Sequence, residues 1–158
     1  MRIVFIILFH FFLFQNIISQ CDCEKIIRAD GTVTQCNPLP IGGDDNLQIG
    51  LSLASNGKDN FITLTIRNIT GQTYKITGDL IIRLLDNNML TFGMLNTLSS
   101  VIGNSNVENG IFSINETQFN RIKTAKLLTI SIKLSDNRIH TIEATINQDV
   151  LMNQAKCL

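Results

Sequence analysis

Two neighbouring segments of the chain alternate apolar and polar residues, the pattern of β-strands that bury one face. Between Leu47 and Ala54, leucine and isoleucine occupy every second position, and residues 62–66 resume the alternation. The sequence Asn56-Gly57-Lys58-Asp59-Asn60 between them is typical of a hairpin turn. We therefore predict an antiparallel hairpin whose turn centres on Asn56-Gly57 or on Gly57-Lys58, two registers that keep the same face buried.

A second pair of alternating segments, residues 128–134 and 138–146, flanks Ser135-Asp136-Asn137. If these three residues form the loop, Ile132 faces His140 and both side chains lie on the core side. His140 is the only histidine after the first twenty residues. This position predicts a partly buried structural histidine rather than a catalytic or metal-binding one.

The middle of the chain predicts further strands separated by turn residues. The predicted strands are Tyr74–Thr77, Leu80–Leu85, Met89–Leu95 and Ile111–Ile114, with turns at Gly71, Gly78 and Asp86-Asn87-Asn88. Residues Asn96–Gly110 are rich in Asn, Ser and Gly and show no sustained period. This segment is therefore interpreted as a long loop.

Two helices are expected. Asn115 can cap the first, with Gln118 three residues later, and its apolar stripe contains Phe119 and Ile122. Asn147 can cap the second, which runs from about Gln148 to Lys156 and packs on the sheet through Val150, Leu151 and Ala155.

Together these elements predict a mainly β fold: an antiparallel β-sandwich or bent sheet with one short internal helix and a C-terminal helix. No glycine cluster joins a strand to a helix, so a βαβ nucleotide-binding unit is not expected. The chain divides into residues 1–19, a leader; residues 20–46, an N-terminal cystine-bearing hairpin segment; and residues 47–158, a β-rich domain with the C-terminal helix.

The first nineteen residues are interpreted as a signal peptide. Met1 and Arg2 provide a positive start, and Ile3–Phe14 is apolar except for one histidine, too short to span a bilayer. Cleavage is expected after Ser19 or Gln20, giving a secreted or periplasmic protein. A lipid anchor on Cys21 is the alternative, and it is disfavoured because Gln20 is not a small residue.

The four cysteines, Cys21, Cys23, Cys36 and Cys157, predict two disulfides in an oxidising compartment. A bond between Cys21 and Cys23 would close a strained ring, so Cys157 joins one of these two. A two-residue turn at Asp30-Gly31 would set Lys25 opposite Cys36 and Cys23 diagonally beside it. The spacing therefore favours Cys23 with Cys36 and Cys21 with Cys157, and it lacks the paired C-x2-C pattern of a zinc site.

The two ends of the exported chain resemble a group of short sequences. The group is the uncharacterised short exported proteins of Bacteroidota. The similar parts are the start Cys21-Asp22-Cys23-Glu24-Lys25, the end Lys156-Cys157-Leu158 and the strand-helix-strand run from Ile111 to Ile146. The resemblance implies an exported β-rich domain and carries no activity, cofactor or binding residue. Cys23 and Cys36 depart from the commoner pattern of that group and suggest a second cystine.

Charge and composition exclude several functions. Lys plus Arg and Asp plus Glu both number 13, so no net field attracts nucleic acid or an anionic membrane.

Asp44-Asp45 with Asp59 could offer oxygen ligands to calcium, but acids in turns are usually only solvated. The sequons at Asn68 and Asn115 matter only in a eukaryotic secretory pathway. No catalytic residue, metal site or cofactor is expected.

The sequence thus favours a non-catalytic binding or structural module of the periplasm or cell exterior, with a protein or a glycan as partner. Two surfaces are candidates for binding: the Asn96–Gly110 loop and the face that carries Thr63, Thr65 and Arg67. A lipid-anchored envelope component and a hydrolytic enzyme are the alternatives. The second would have to be built on His140, and no nucleophile or carboxylate pair accompanies it.

We predict that the exported protein begins at Gln20 or Cys21 and carries no lipid, because Ser19 and Gln20 end the leader. Intact mass spectrometry of the secreted protein measures this. A mature species with acyl chains on Cys21 would contradict the prediction and assign the protein to a membrane.

Overall fold

The computed structural model describes residues 22–29, 31–69 and 73–158, so the predicted leader and Cys21 lie outside the described residues. The described chain contains eleven strands and two short helices. The strands are β1 Cys23–Arg28, β2 Gly31–Cys36, β3 Leu39–Gly43, β4 Leu47–Ser55, β5 Asn60–Asn68, β6 Ile76–Leu84, β7 Met89–Phe92, β8 Met94–Ile102, β9 Ser105–Ile114, β10 Leu127–Leu134 and β11 Ile139–Glu143. The helices are α1 Glu116–Ile122 and α2 Val150–Gln154.

The strands form two antiparallel sheets. The larger sheet has the order β1-β2-β4-β5-β9-β8, with β3 also paired to β4, and the smaller sheet has the order β11-β10-β6-β7. Their facing sides share one apolar core, which contains Leu51, Leu64, Leu80, Ile130 and Phe112. The predicted fold class, mainly antiparallel β with one internal and one C-terminal helix, is confirmed.

Both predicted hairpins are present. In the first, Leu51 pairs with Leu64 and Ser55 with Asn60, which corresponds to the predicted register centred on Gly57-Lys58. In the second, Ile132 pairs with His140 across the loop Ser135-Asp136-Asn137, as predicted. The core side of each strand is the one that the alternation of apolar residues indicated.

The prediction of a loop at Asn96–Gly110 is wrong, because this segment forms most of the hairpin β8–β9. Ile102 pairs with Ser105 across the two-residue turn Gly103-Asn104, where Gly103 has a φ of +60°. The core-side positions of β9 include Asn106, Glu108 and Gly110, so no apolar period marks the strand. Ile111–Ile114 is only the end of this ten-residue strand.

Two glycines have roles that differ from the predicted ones. Gly78 lies inside β6, where it packs beside the aliphatic part of Lys133, and it is not a turn. The predicted strand Met89–Leu95 is divided at Gly93, where the chain passes from the smaller sheet to the larger one. The carbonyl of Gly93 accepts a hydrogen bond from the Ser113 amide at 3.1 Å, which fixes this corner.

The N-terminal hairpin contains the predicted disulfide between Cys23 and Cys36. Its predicted register is wrong, because the turn lies one residue earlier than predicted and Arg28 pairs with Gly31. Lys25 therefore lies opposite Thr34 instead of Cys36, and Cys23 lies directly opposite Cys36. Gly31 has a φ of +142° and begins β2 instead of ending the turn. Cys21, the predicted partner of Cys157, lies outside the described residues, among which no cysteine is a free thiol.

The C-terminal helix is shorter than predicted. It runs from Val150 to Gln154, and the residue at its N-cap is Asp149. Asn147, the predicted cap, has a φ of 46° and donates a side-chain hydrogen bond to the carbonyl of Pro40 at 2.7 Å. The prediction that Val150, Leu151 and Ala155 pack into the core is confirmed. The capping box of Asn115 and Gln118 at α1 is also confirmed.

Gln154 fills a break in the larger sheet. One edge of β4 pairs with β3 up to Leu51 and with β2 from Ala54, so the backbone between these residues faces no strand. The Leu53 amide donates to Oε1 of Gln154 at 2.8 Å, and Nε2 of Gln154 donates to the Asn37 carbonyl at 2.8 Å. The buried side chain therefore joins β4, the β2–β3 connection and the C-terminal helix.

We predict that Gln154→Met lowers the free energy of unfolding by about 2 kcal/mol, because the buried Leu53 amide and Asn37 carbonyl lose their partner while the side-chain volume stays similar. Urea unfolding of the oxidised protein measures the change. Asn153→Ala, on the same helix, is the control and should cost less than half as much. Equal losses for the two variants would contradict the bridging role of Gln154.

Candidate functional site

A groove of about 700 Å³ lies on the face of the larger sheet that points away from the core. Its floor consists of side chains from the three central strands: Ser52 and Ala54 on β4, Phe61, Thr63 and Thr65 on β5, and Asn109 and Ile111 on β9. Cross-strand pairing brings these residues together, since Thr63 lies opposite Ile111 and Thr65 opposite Asn109. The floor is therefore set by the register of the sheet.

The sheet curls, so its outer strands form the walls of the groove. Thr32, Val33 and Gln35 of β2 line one side together with Pro38, and Leu98 of β8 lines the other. Asn56 and Lys58, in the β4–β5 turn, line the end near Phe61. The groove is consequently bounded by strands on both sides and by a tight turn at one end.

The groove is amphipathic and carries little charge. Hydroxyl and amide groups alternate with apolar side chains, and among the described lining residues Lys58 is the only charged one. One polar pair is fixed within the floor, because the Thr65 hydroxyl donates to Oδ1 of Asn109 at 2.7 Å. Amides and hydroxyls both donate and accept hydrogen bonds, so the surface suits an uncharged ligand that carries both kinds of group.

The two surfaces predicted from the sequence meet in this groove. Thr63 and Thr65 lie on its floor, and Leu98 and Asn109 come from the segment that the sequence predicted to be a loop. Arg67 is not a lining residue, and its Nε donates to the Ser105 hydroxyl at 3.1 Å.

Sequence reasoning did not single out Phe61, Ser52 or Ile111 as binding residues. The turn pair Gly103-Asn104 was the signal that could have found the β9 contribution, because Gly-Asn is typical of a two-residue hairpin loop.

A smaller cavity of about 180 Å³ is lined by Lys75, Ser99 and Glu108 among others. Glu108 is buried on the core side of β9, and it accepts a hydrogen bond from the Ser99 hydroxyl. This contact joins β8 to β9, so Glu108 has a structural role here.

The residues considered for calcium do not come together. Asp44 precedes β4 and Asp59 follows it, so about 30 Å of extended strand separates them. Oδ1 of Asp44 instead accepts the amides of Asn46 and Leu47, at 2.7 and 2.9 Å. Within residues 22–29, 31–69 and 73–158 no cluster of three His, Cys, Asp or Glu side chains is arranged to hold a metal ion.

The sequon asparagine Asn68 is buried, and its side chain bonds the Tyr74 amide and the Asn106 carbonyl. No helix in the described part of the chain has the length and hydropathy that a bilayer crossing requires.

His140 lies on the smaller sheet and is half-buried. Its ring makes an edge contact with Tyr74, at 5.5 Å between centroids, and its Nε2 lies 2.8 Å from Oδ2 of Asp136. The pKa of Asp136 lies below its ordinary value, first because the Arg138 amide donates to the carboxylate and also because of His140. The stabilisation from these bonds is thus present at neutral pH and lost in acid, as the pH falls through the lowered pKa.

The chain matches no known protein-family model, and no curated protein or solved structure is significantly similar to it.

We predict that His140→Gln lowers the melting temperature by about 3 °C through loss of the Tyr74 and Asp136 contacts, and leaves ligand binding unchanged. Thermal unfolding followed by circular dichroism measures the first effect. Ile139→Gln, at the exposed neighbouring position, should melt close to the parent. A His140 variant that melts like the parent but no longer binds would show that this histidine has a functional role.

Proposed function

We propose that the protein is a non-catalytic binding module of the periplasm or cell exterior, and that its ligand is a short neutral oligosaccharide held in the groove. The observation that carries this proposal is the lining itself: among the described residues, hydroxyl and amide side chains surround one aromatic ring, that of Phe61. A sugar presents the complementary surface, since it has uncharged hydroxyls around its rim and apolar C–H groups on its faces.

The character of the groove favours a sugar over an extended peptide. A peptide that adds a strand needs a free sheet edge, whereas the floor of the groove is a sheet face whose strands β4, β5 and β9 are paired on both edges. A face offers side chains only, and here seven of the fifteen described lining residues are Thr, Ser, Asn or Gln. The ligand would therefore be recognised through side-chain amides and hydroxyls.

Binding without cleavage is supported by the groups in the groove. Glycoside hydrolysis ordinarily uses two carboxyl groups that flank the scissile bond. Among the described lining residues there is no Asp, Glu or His. The described part of the groove thus supplies hydrogen bonds and an aromatic ring but no pair of carboxyl groups.

Export is part of the proposal. The apolar leader and the resemblance of the chain ends to short exported proteins support it. The Cys23–Cys36 disulfide is consistent with an oxidising compartment. A non-lipidated mature chain would then be released into the periplasm or the exterior.

We predict that Thr63→Trp reduces binding of a neutral oligosaccharide at least about tenfold, because an indole at the centre of the floor fills the space that the ligand needs. Purified protein would be screened against immobilised neutral oligosaccharides and a matched panel of uncharged peptides. Titration calorimetry on the best ligand then compares the variants.

The control for this experiment is Thr141→Trp, which places the same side chain on an exposed strand position of the smaller sheet. It should bind like the parent. If Thr63→Trp still binds the sugar, the groove is not the binding site. If the parent binds only peptides and Thr63→Trp does not, the groove is the binding site but its ligand is not a sugar.

A further inference from the structure

Strand β8 forms one end of the larger sheet, and its outer edge pairs with no strand of the described chain. Ile102 and Ser105 flank a two-residue turn and therefore exchange backbone hydrogen bonds, after which paired and unpaired residues alternate along β8. Thr97, Ser99 and Val101 consequently direct their amides and carbonyls outward. The Thr97 amide bonds the Asn96 side chain at 2.8 Å, as expected for a group without a strand partner.

Apart from a β-bulge at the start of β8, between Met94 and Asn96, this edge lacks the features that normally protect a sheet edge. β8 is nine residues long and contains no charged residue and no proline. Its large apolar side chains are exposed: Leu95 by 57%, Leu98 by 55%, Val101 by 69% and Ile102 by 63%. The opposite end of the sheet, β1, carries Glu24 and Lys25. Because edges are ordinarily blunted by charge, proline or shortness, an unprotected nine-residue edge indicates a surface that another strand covers.

The sequence of β8 identifies that strand. The segment Met-Leu-Asn-Thr-Leu-Ser-Ser-Val-Ile is a palindrome of apolar and polar positions centred on Leu98. Antiparallel pairing with an identical strand about Leu98 sets Met94 opposite Ile102, Leu95 opposite Val101 and Leu98 opposite Leu98. Asn96 and Thr97 then face the two serines. Every apolar residue meets an apolar residue, and every polar residue meets a polar one.

The backbone is compatible with the same register. Pairing about Leu98 places Thr97 of one copy opposite Ser99 of the other, and both residues direct their hydrogen-bonding groups outward. Leu98 then occupies a position between hydrogen-bonded pairs, where the cross-strand side chains are closest. β8 itself carries no charge and the formal net charge of the chain is zero. The Asp79 carboxylate accepts the Met94 amide at the start of the strand, away from the central Leu98.

We propose that the protein forms a two-fold symmetric homodimer in which the β8 strands of two copies pair antiparallel about Leu98. The larger sheets then join into one continuous sheet. The association closes after two copies, because each chain has a single β8 edge and the charged β1 edge does not match it. This inference does not depend on what the groove binds.

The first test is the mass of the oxidised protein in solution, produced from the full chain with its own leader. Sedimentation equilibrium should show a dimer at micromolar concentration. Val101→Lys should raise the dimer dissociation constant about a hundredfold, since each copy would face an apolar residue with a charge. The control is Ile27→Lys, which changes an 85% exposed side chain on the β1 edge and should leave the dimer intact.

The second test locates the symmetry axis. Leu98→Cys places two thiols opposite each other on the axis, so it should form an intermolecular disulfide. Ser100→Cys, on the same face, separates the two thiols by about four residues of strand and should not cross-link. A monomer at every concentration, a dimer unaffected by Val101→Lys, or equal cross-linking by the two cysteine variants would overturn the proposal. Circular dichroism confirms that each variant is folded.

Discussion

The fold depends on how one edge of β4 is completed. Two strands, β2 and β3, share this edge, and the chain must leave the sheet between them at Asn37 and Pro38. An unsatisfied amide at Leu53 would lie in the buried centre of the sheet, where its cost is comparable to a lost hydrogen bond. Gln154 supplies the missing partner from the far end of the sequence. The Gln154 side chain therefore both completes this edge of the sheet and holds the C-terminal helix against it.

This arrangement has a direct effect on the candidate binding site. Because β2 pairs with β4 through only Thr34 and Gln35, most of the N-terminal hairpin extends beyond this pairing and forms a wall of the groove. On β4 and β5, which form much of the floor, the opposite face is filled by leucine and isoleucine of the core that is shared with the smaller sheet. A packed core on one side thus leaves the other free for neutral polar side chains, and the alternation along β5 separates the two functions residue by residue.

The sequence contained much of the fold but little of the site. Where apolar and polar residues alternated, as in residues 47–66 and 128–142, the strands and their buried faces followed from the pattern. The register followed only in the second hairpin, since two turn centres remained open in the first. It failed in β9, whose core-side positions include Asn106, Glu108 and Gly110 instead of large apolar residues. At Gly110 the Ile76 side chain of β6 occupies the space that a side chain would need. The groove also requires that β9 return beside β5, a long-range pairing that no local pattern encodes. Gln154 was missed for the same reason, since its partners lie more than one hundred residues away.

The N-terminal hairpin is held to the rest of the larger sheet at one end only. The disulfide between Cys23 and Cys36 and the short pairing with β4 secure its base, while Thr32 and Val33 lie toward the end that carries no such support. The floor of the groove, in contrast, is paired along the whole length of β5. The width of the groove can therefore adapt by tilting one wall without disturbing the floor. With the proposed function, one scaffold would then accept ligands of different thickness, each of which contacts the same row of hydroxyl groups on the floor.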